Sequence, residues 1–160
     1  MRAAVAERRK RIPKCFVPLA YDPGESMQID WGETTVFLKG VKAKINIWCM
    51  RECYSADIFV MAFMRQNEES FLEGILNGFE YFGGVPRKLI FDNAKVAVKD
   101  GFGANAVATD KYRAMAAHYA FTPVLCNVAQ GHEKVLVEGL VGFSRRNFLV
   151  PLPRFESLDE

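Results

Sequence analysis

Met27-Gln28-Ile29-Asp30-Trp31-Gly32-Glu33 decides how the rest of the chain is read. Apolar residues at 27, 29 and 31 alternate with Gln28, Asp30 and Gly32. Period two is the pattern of a half-buried strand. It sets Asp30 in mid-strand, where aspartate is disfavoured. A carboxylate inside a sheet is paired, hydrogen-bonded or holding a metal. The working expectation is that Asp30 is one ligand of a metal site completed by residues elsewhere.

Outward from this strand the pattern stays β-rich. Tyr21-Asp22-Pro23-Gly24 is a turn signal ahead of it. Thr34 to Leu38 is β-prone, and Lys39-Gly40 turns it back into Lys42 to Met50. There Ala43, Ile45, Ile47 and Cys49 alternate with Lys42, Lys44, Asn46 and Trp48. A third strand at about 55–63 is nearly all apolar, which predicts burial on both faces. Short turns join the three into an antiparallel meander.

The period then changes. Asn67 is the expected N-cap of a helix with Glu68 and Glu69 in its first turn. Phe71, Leu72, Ile75, Leu76, Phe79 and Phe82 recur at helical spacing. Gly83-Gly84 stops the helix, and Pro86 lies beyond. Lys88 to Asp92 is a short strand, expected to run parallel to its predecessor because a helix intervenes. The glycine-rich stretch 99–108 reads as a mobile loop, and Asp110 as the cap of a second helix. Phe121 to Val128 is a fifth strand with Pro123 near its start. A third helix covers about 132–147, with Pro151, Pro153 and a polar tail after it. The order β-β-β-α-β-α-β-α predicts an α/β fold: a mixed five-stranded sheet with helices packed on it. The expected organisation is a basic lead-in over 1–25, a core over 26–150 and a tail over 151–160.

Composition bounds the function. The chain has 160 residues, half of them hydrophobic and a quarter charged, which fits one soluble domain. No apolar run reaches the ~18 residues of a membrane span, and the N-terminus lacks the apolar segment of a secretory signal. A cytosolic protein is the default. Cys15, Cys49, Cys53 and Cys126, with His118 and His132, match no structural zinc template and read as free thiols. Net charge is only +2, but residues 1–14 hold six cations against Glu7. Such a block is a solvated tail or a phosphate contact.

Three carboxylates hold special places: Asp30 on the first strand, Asp92 at the end of the fourth, Glu138 in the last helix. If the first and fourth strands are neighbours, Asp30 and Asp92 meet, and a helix across that edge brings Glu138 to them. Three hard oxygen ligands suit Mg²⁺ or Mn²⁺. Two such ions activate an attacking oxygen and stabilise a leaving one in phosphoryl transfer. Lys134 and Arg145 share a helix stripe with Glu138, so that carboxylate is either a surface ion-pair member or a ligand whose basic neighbours hold DNA phosphates. Taken singly, Asp30 is as well read as a buried structural aspartate and Asp92 as a turn residue. Glu25, Glu33, Asp57 and Glu133 are further carboxylates that spacing does not exclude.

Four motifs carry a resemblance. Gln28-Ile29-Asp30-Trp31-Gly32-Glu33, Phe91-Asp92-Asn93-Ala94-Lys95, Gly131-His132-Glu133-Lys134 with Val137-Glu138, and Arg145-Arg146-Asn147-Phe148-Leu149-Val150-Pro151 resemble the IstA-type insertion-sequence transposases of the retroviral-integrase superfamily. The resemblance runs from about Phe16 to Phe155. It implies an RNase H-like fold and a DDE triad of Asp30, Asp92 and Glu138 binding two Mg²⁺. It implies cleavage at transposon ends to free 3′-OH groups, which then attack target DNA. The implied partners are double-stranded DNA, further copies of the chain and an AAA+ ATPase of the IstB type. Lys95, Lys134, Arg145 and Arg146 are the implied DNA contacts, and the bacterial cytoplasm, at the nucleoid, is the implied location. Where the family reads Lys-Gly-x-Val-Glu, this chain has Lys134-Val135-Leu136-Val137-Glu138. Full-length members add N-terminal helix-turn-helix domains and a C-terminal extension, so this chain is expected to be a catalytic core that binds transposon ends poorly alone. A hydrolytic RNase H-like nuclease and a catalytically idle DNA-binding or assembly fragment are the competing readings.

Overall fold

The structure, a computed structural model, describes residues 20–92, 98–100, 107–126 and 138–158. The alternating stretch forms β1 (Ser26–Leu38), which pairs antiparallel with β2 (Val41–Glu52) along its whole length, from Met27↔Glu52 to Leu38↔Val41. Lys39 and Gly40 make the turn with φ of 50° and 75°. Two positive φ values are what a two-residue hairpin needs to match strand twist. β2 pairs antiparallel with β3 (Ile58–Phe63), completing the meander.

Helix α1 (Glu68–Phe82) is capped by Asn67, whose side chain accepts from the Ser70 N–H at 2.9 Å, and it ends at Gly83 with φ 68°. It leads to β4 (Lys88–Asp92), parallel to β1 from Ser26↔Lys88 to Ile29↔Phe91. β5 (Val98–Asp100) and β6 (Val107–Ala108) form a separate two-stranded ribbon. Helix α2 (Asp110–Tyr119) then leads to β7 (Thr122–Cys126), parallel to β4. Helix α3 (Glu138–Phe148) and β8 (Arg154–Phe155) close the described chain.

The main sheet runs β3-β2-β1-β4-β7, with β8 also on β1. It is the expected mixed α/β sheet, with four differences. The segment read as a polar tail supplies a sixth strand: β8 pairs with Phe37 and Leu38, and the Phe37 N–H donates to the Pro153 carbonyl at 2.9 Å. β3 is an edge strand with most of its residues half-buried, because β2 is its sole partner among the described residues. Parts of the stretch read as a loop form β5 and β6. Thr109, not Asp110, caps α2, its hydroxyl accepting from the Tyr112 N–H at 3.3 Å. Pro123 sits on the edge strand β7, where a missing ladder donor is tolerated.

The sheet has two unlike faces. Met27, Ile29, Trp48, Met50, Leu89 and Phe91 pack under α1 and α2 with Phe71, Ile75, Phe79 and Tyr112. Ring centroids there stand 4.6 Å apart for Phe71–Phe91 and 5.2 Å for Phe71–Tyr112. On the opposite face Ile47 and Cys49 pack with Ile58, Val60, Val141 and Leu149, beneath α3.

Candidate active site

Alternation along β1 separates its side chains. Met27, Ile29 and Trp31 enter the aromatic core, so Gln28, Asp30 and Gly32 face the α3 side. Asp30 is half-buried and lies opposite Cys49 on β2. On its other flank the ladder with β4 reaches Ile29↔Phe91. The next residues of the two strands are Asp30 and Asp92, each one position beyond the last pair of the ladder. Neighbouring strands lie about 4.8 Å apart.

β4 ends at Asp92, whereas β1 runs on to Leu38 and meets β8 only at Phe37. Between these points that edge of β1 carries no strand among the described residues. Phe37 and Lys39 turn their N–H groups to β8, so by alternation Glu33 turns its carbonyl to the same open edge. The Arg145 guanidinium donates to that carbonyl. An otherwise open backbone acceptor is satisfied by the helix.

Helix α3 is seated over Asp30's neighbours at three points. Arg145 holds Glu33. Val141 lies directly over Gly32. Ser144, fully buried, places its Oγ 3.7 Å from the Cys49 Sγ. Burial pushes the Cys49 thiol up to about 12; the Ser144 hydroxyl opposes this, and the Asp30 charge adds to it. The thiol beside Asp30 is therefore neutral at physiological pH. Glu138, Val141 and Arg145 share one helical stripe at steps of three and four. Glu138 opens α3 one turn before Val141, and its side chain lies outside the described residues.

The other residues expected at the site divide clearly. Arg145 is exposed but engaged with β1, and Arg146 is exposed on α3 with its guanidinium beside Gly142. Lys95 and Lys134 lie outside the described residues, as do Glu133, Val135 and Leu136. Three carboxylates that spacing left open have local engagements: Glu25 pairs with Lys88 at 3.2 Å, Glu33 with Lys44 at 2.5 Å, and Asp57 accepts from the Ile58 N–H at 2.8 Å. Cys49 and Cys53 are buried free thiols; Cys15 and the Cys126 side chain lie outside the described residues.

Sequence reasoning missed Gly32 and Gln28. A glycine inside a strand is itself a signal of close approach by another group. Gln28 is fully buried one step from Asp30 on the same face, and neither of its amide atoms has a hydrogen-bond partner among the described residues. A polar residue within an alternating apolar strand was its signal.

The chain is 38% identical over 145 residues to a transposase of Aminobacter aminovorans, covering 90% of this chain and 28% of that protein. It is 31% identical to the transposases of insertion sequence IS640 of Shigella sonnei and IS21 of Pseudomonas aeruginosa, each across 94% of the chain. It spans 48% and 39% of those two proteins. No family model matches. Among solved structures, an intasome of simian T-cell lymphotropic virus in complex with a PP2A regulatory subunit superposes with a TM-score of 0.59 at 14% identity, over 87% of this chain and 49% of that one. The HTLV-2 integrase catalytic core in complex with magnesium superposes with a TM-score of 0.52 at 14% identity, over 80% of this chain and 74% of that one. The chain is thus related along nine-tenths of its length to insertion-sequence transposases of the IS21 kind, and it has the RNase H-like fold of an integrase catalytic core.

Proposed function

We propose that residues 26–150 are the catalytic core of a DDE transposase, with β8 as an added strand. Asp30, Asp92 and Glu138 are its metal ligands. The observation that carries this reading is the parallel β1–β4 register, which makes Asp30 and Asp92 neighbours at the end of β4. The donor set fits the ion. Two aspartates on adjacent strands and one glutamate on the helix crossing them supply hard oxygens, and the nearby thiol is neutral. Bound there, a pair of Mg²⁺ ions supplies the Lewis acidity that activates an attacking oxygen and stabilises a leaving one.

The chain's own residues do the rest. Asp30 is carried in mid-strand rather than on a mobile loop, which limits its reorganisation in the chemical step. Arg146, Lys95 and Lys134 hold phosphates, while the Arg145 guanidinium combines a structural bond to Glu33 with an exposed position. The reaction is freeing of a 3′-OH at a transposon end and its attack on target DNA. It takes place in an assembly of several copies on paired DNA ends, with an IstB-type AAA+ ATPase as helper, at the bacterial nucleoid.

The test is a joining assay. The chain is incubated with a pre-nicked transposon-end duplex and target DNA in Mn²⁺, beside Asp92→Asn. Joined products that vanish in the variant are expected. Cleavage without joining would assign a hydrolytic nuclease instead. Absence of products together with absence of metal binding would assign an idle assembly fragment.

A further inference from the structure

The contact between Gly32 and Val141 concerns the placement of α3 rather than the ligands themselves. A Cβ added at Gly32 would fall far inside contact distance of Val141 Cγ1, and 3.1 Å from both Val141 Cγ2 and Ile47 Cγ1. Gly32 is not among the positive-φ residues, so its backbone does not call for glycine. What calls for glycine is the space Val141 occupies. Valine on a helix is held in one dominant χ1 rotamer, so Val141 does not easily turn away. A larger residue at 32 must lift the helix.

We infer that Gly32 is a positioning residue: its bare Cα is the seat on which Val141 sets the height of α3, and with it Glu138, above Asp30. The inference rests on the reading of Asp30 and Glu138 as ligands of one metal centre. Two further contacts oppose any sideways escape. Arg145 ties the helix to the Glu33 carbonyl, and Ser144 meets Cys49, the cross-strand neighbour of Asp30. A Cβ at 32 therefore levers the helix away from the sheet, against contacts on either side. The lift needed to clear Val141 is about 1 Å, a displacement that costs on the order of 100-fold when it falls on reacting groups.

The test is a size exchange read two ways. Gly32→Ala, Val141→Ala and the double variant are compared with the unaltered chain. Mn²⁺ affinity is measured by titration, and α3 amide protection by hydrogen exchange. Gly32→Ala should weaken Mn²⁺ binding about 10- to 100-fold, the range for residues that orient metal ligands. It should also lower protection in α3 while leaving α1 unchanged. Val141→Ala makes room for the new methyl, so the double variant should recover to within about threefold of the unaltered chain on the same scale. Wild-type protection and affinity in Gly32→Ala would overturn the inference, as would a double variant no better than Gly32→Ala. If the unaltered chain binds no Mn²⁺ but α3 protection follows the exchange, the seat stands and the metal reading falls. A Gly32→Ala chain that loses protection in α1 as well reports general unfolding, and that result also overturns the inference.

Discussion

The two faces of the central sheet are built for different tasks. Under α1 and α2 the face is large and aromatic. Phe71, Phe91, Tyr112, Trp48 and Phe79 are buried, and Gly74 and Gly78 let α1 sit directly on Trp48 and Met50. Under α3 the buried cluster is small, Ile47 and Cys49 with a few half-buried neighbours, and β1 offers Gln28, Asp30 and Gly32 instead of apolar side chains. Burial of apolar area is the main source of stability, at about 25 cal/mol per Å². The aromatic face therefore carries most of the folding energy. The α3 face gives up part of that energy to hold a charge in mid-strand. The lesson is that Asp30 is tolerated because the opposite face of the same strand, through Met27 and Ile29, is so well anchored.

The division can be broken from either side. Asp30→Asn keeps the shape and removes the charge. It should lower joining by about three orders of magnitude, the equivalent of roughly 4 kcal/mol of transition-state stabilisation. Its melting temperature should stay near that of the parent, since the aromatic face is untouched. Unchanged joining, or a melt lowered by many degrees, would contradict the division. Phe71→Ala is the mirror experiment. It should cost about 3–5 kcal/mol in denaturant unfolding. Under conditions where the variant is still folded, its Mn²⁺ affinity should stay near that of the parent.

The buried thiols sharpen the comparison by pH. Burial pushes both Cys49 and Cys53 up to about 12 from an ordinary value of 9.0. The unfolded chain therefore releases these protons first. Their contribution to stability is complete below pH 9 and is lost as pH rises to about 12. Unfolding curves from pH 8 to 11 should show this fall, and Cys49→Ala with Cys53→Ala should flatten it. Slow alkylation of both thiols at pH 8 in the folded chain is the companion result. The smallest effect is expected at the cap of α1. Asn67→Ala removes the acceptor for the Ser70 N–H and should cost about 1 kcal/mol of stability, with joining unaffected.

Much of this was legible in the residues, because it rests on local rules. The alternation around Asp30, the Lys39-Gly40 turn and the Asn67 cap each follow from neighbours within a few positions. The parallel direction of β4 followed from the intervening helix, whereas its place beside β1 was a condition that the residues left open. The parts that escaped depend on tertiary placement. β3 is apolar on both faces, yet its position at the sheet edge leaves it half-exposed. β8 is two residues long, lies just after Pro153 and begins with Arg154, so nothing local marks it; it exists because β1 outlasts β4 and has an edge to fill. Thr109 and Asp110 are both good cap residues, and position in the chain does not choose between them. Arg145 was assigned to DNA by its charge, while its bond to Glu33 depends on how α3 crosses the sheet. The Gly32–Val141 contact, between residues far apart in sequence, belongs to the same class.

The central claim is that Asp30 and Asp92 jointly hold a divalent ion on the α3 side of the sheet. The most direct measurement is anomalous scattering from crystals of the chain soaked in Mn²⁺. The account predicts a manganese peak at the end of β4, about 2.0–2.3 Å from carboxylate oxygens of both aspartates, and its loss in Asp30→Asn. An ordered pair of aspartates with no peak between them, or a peak bound by other residues alone, would contradict it.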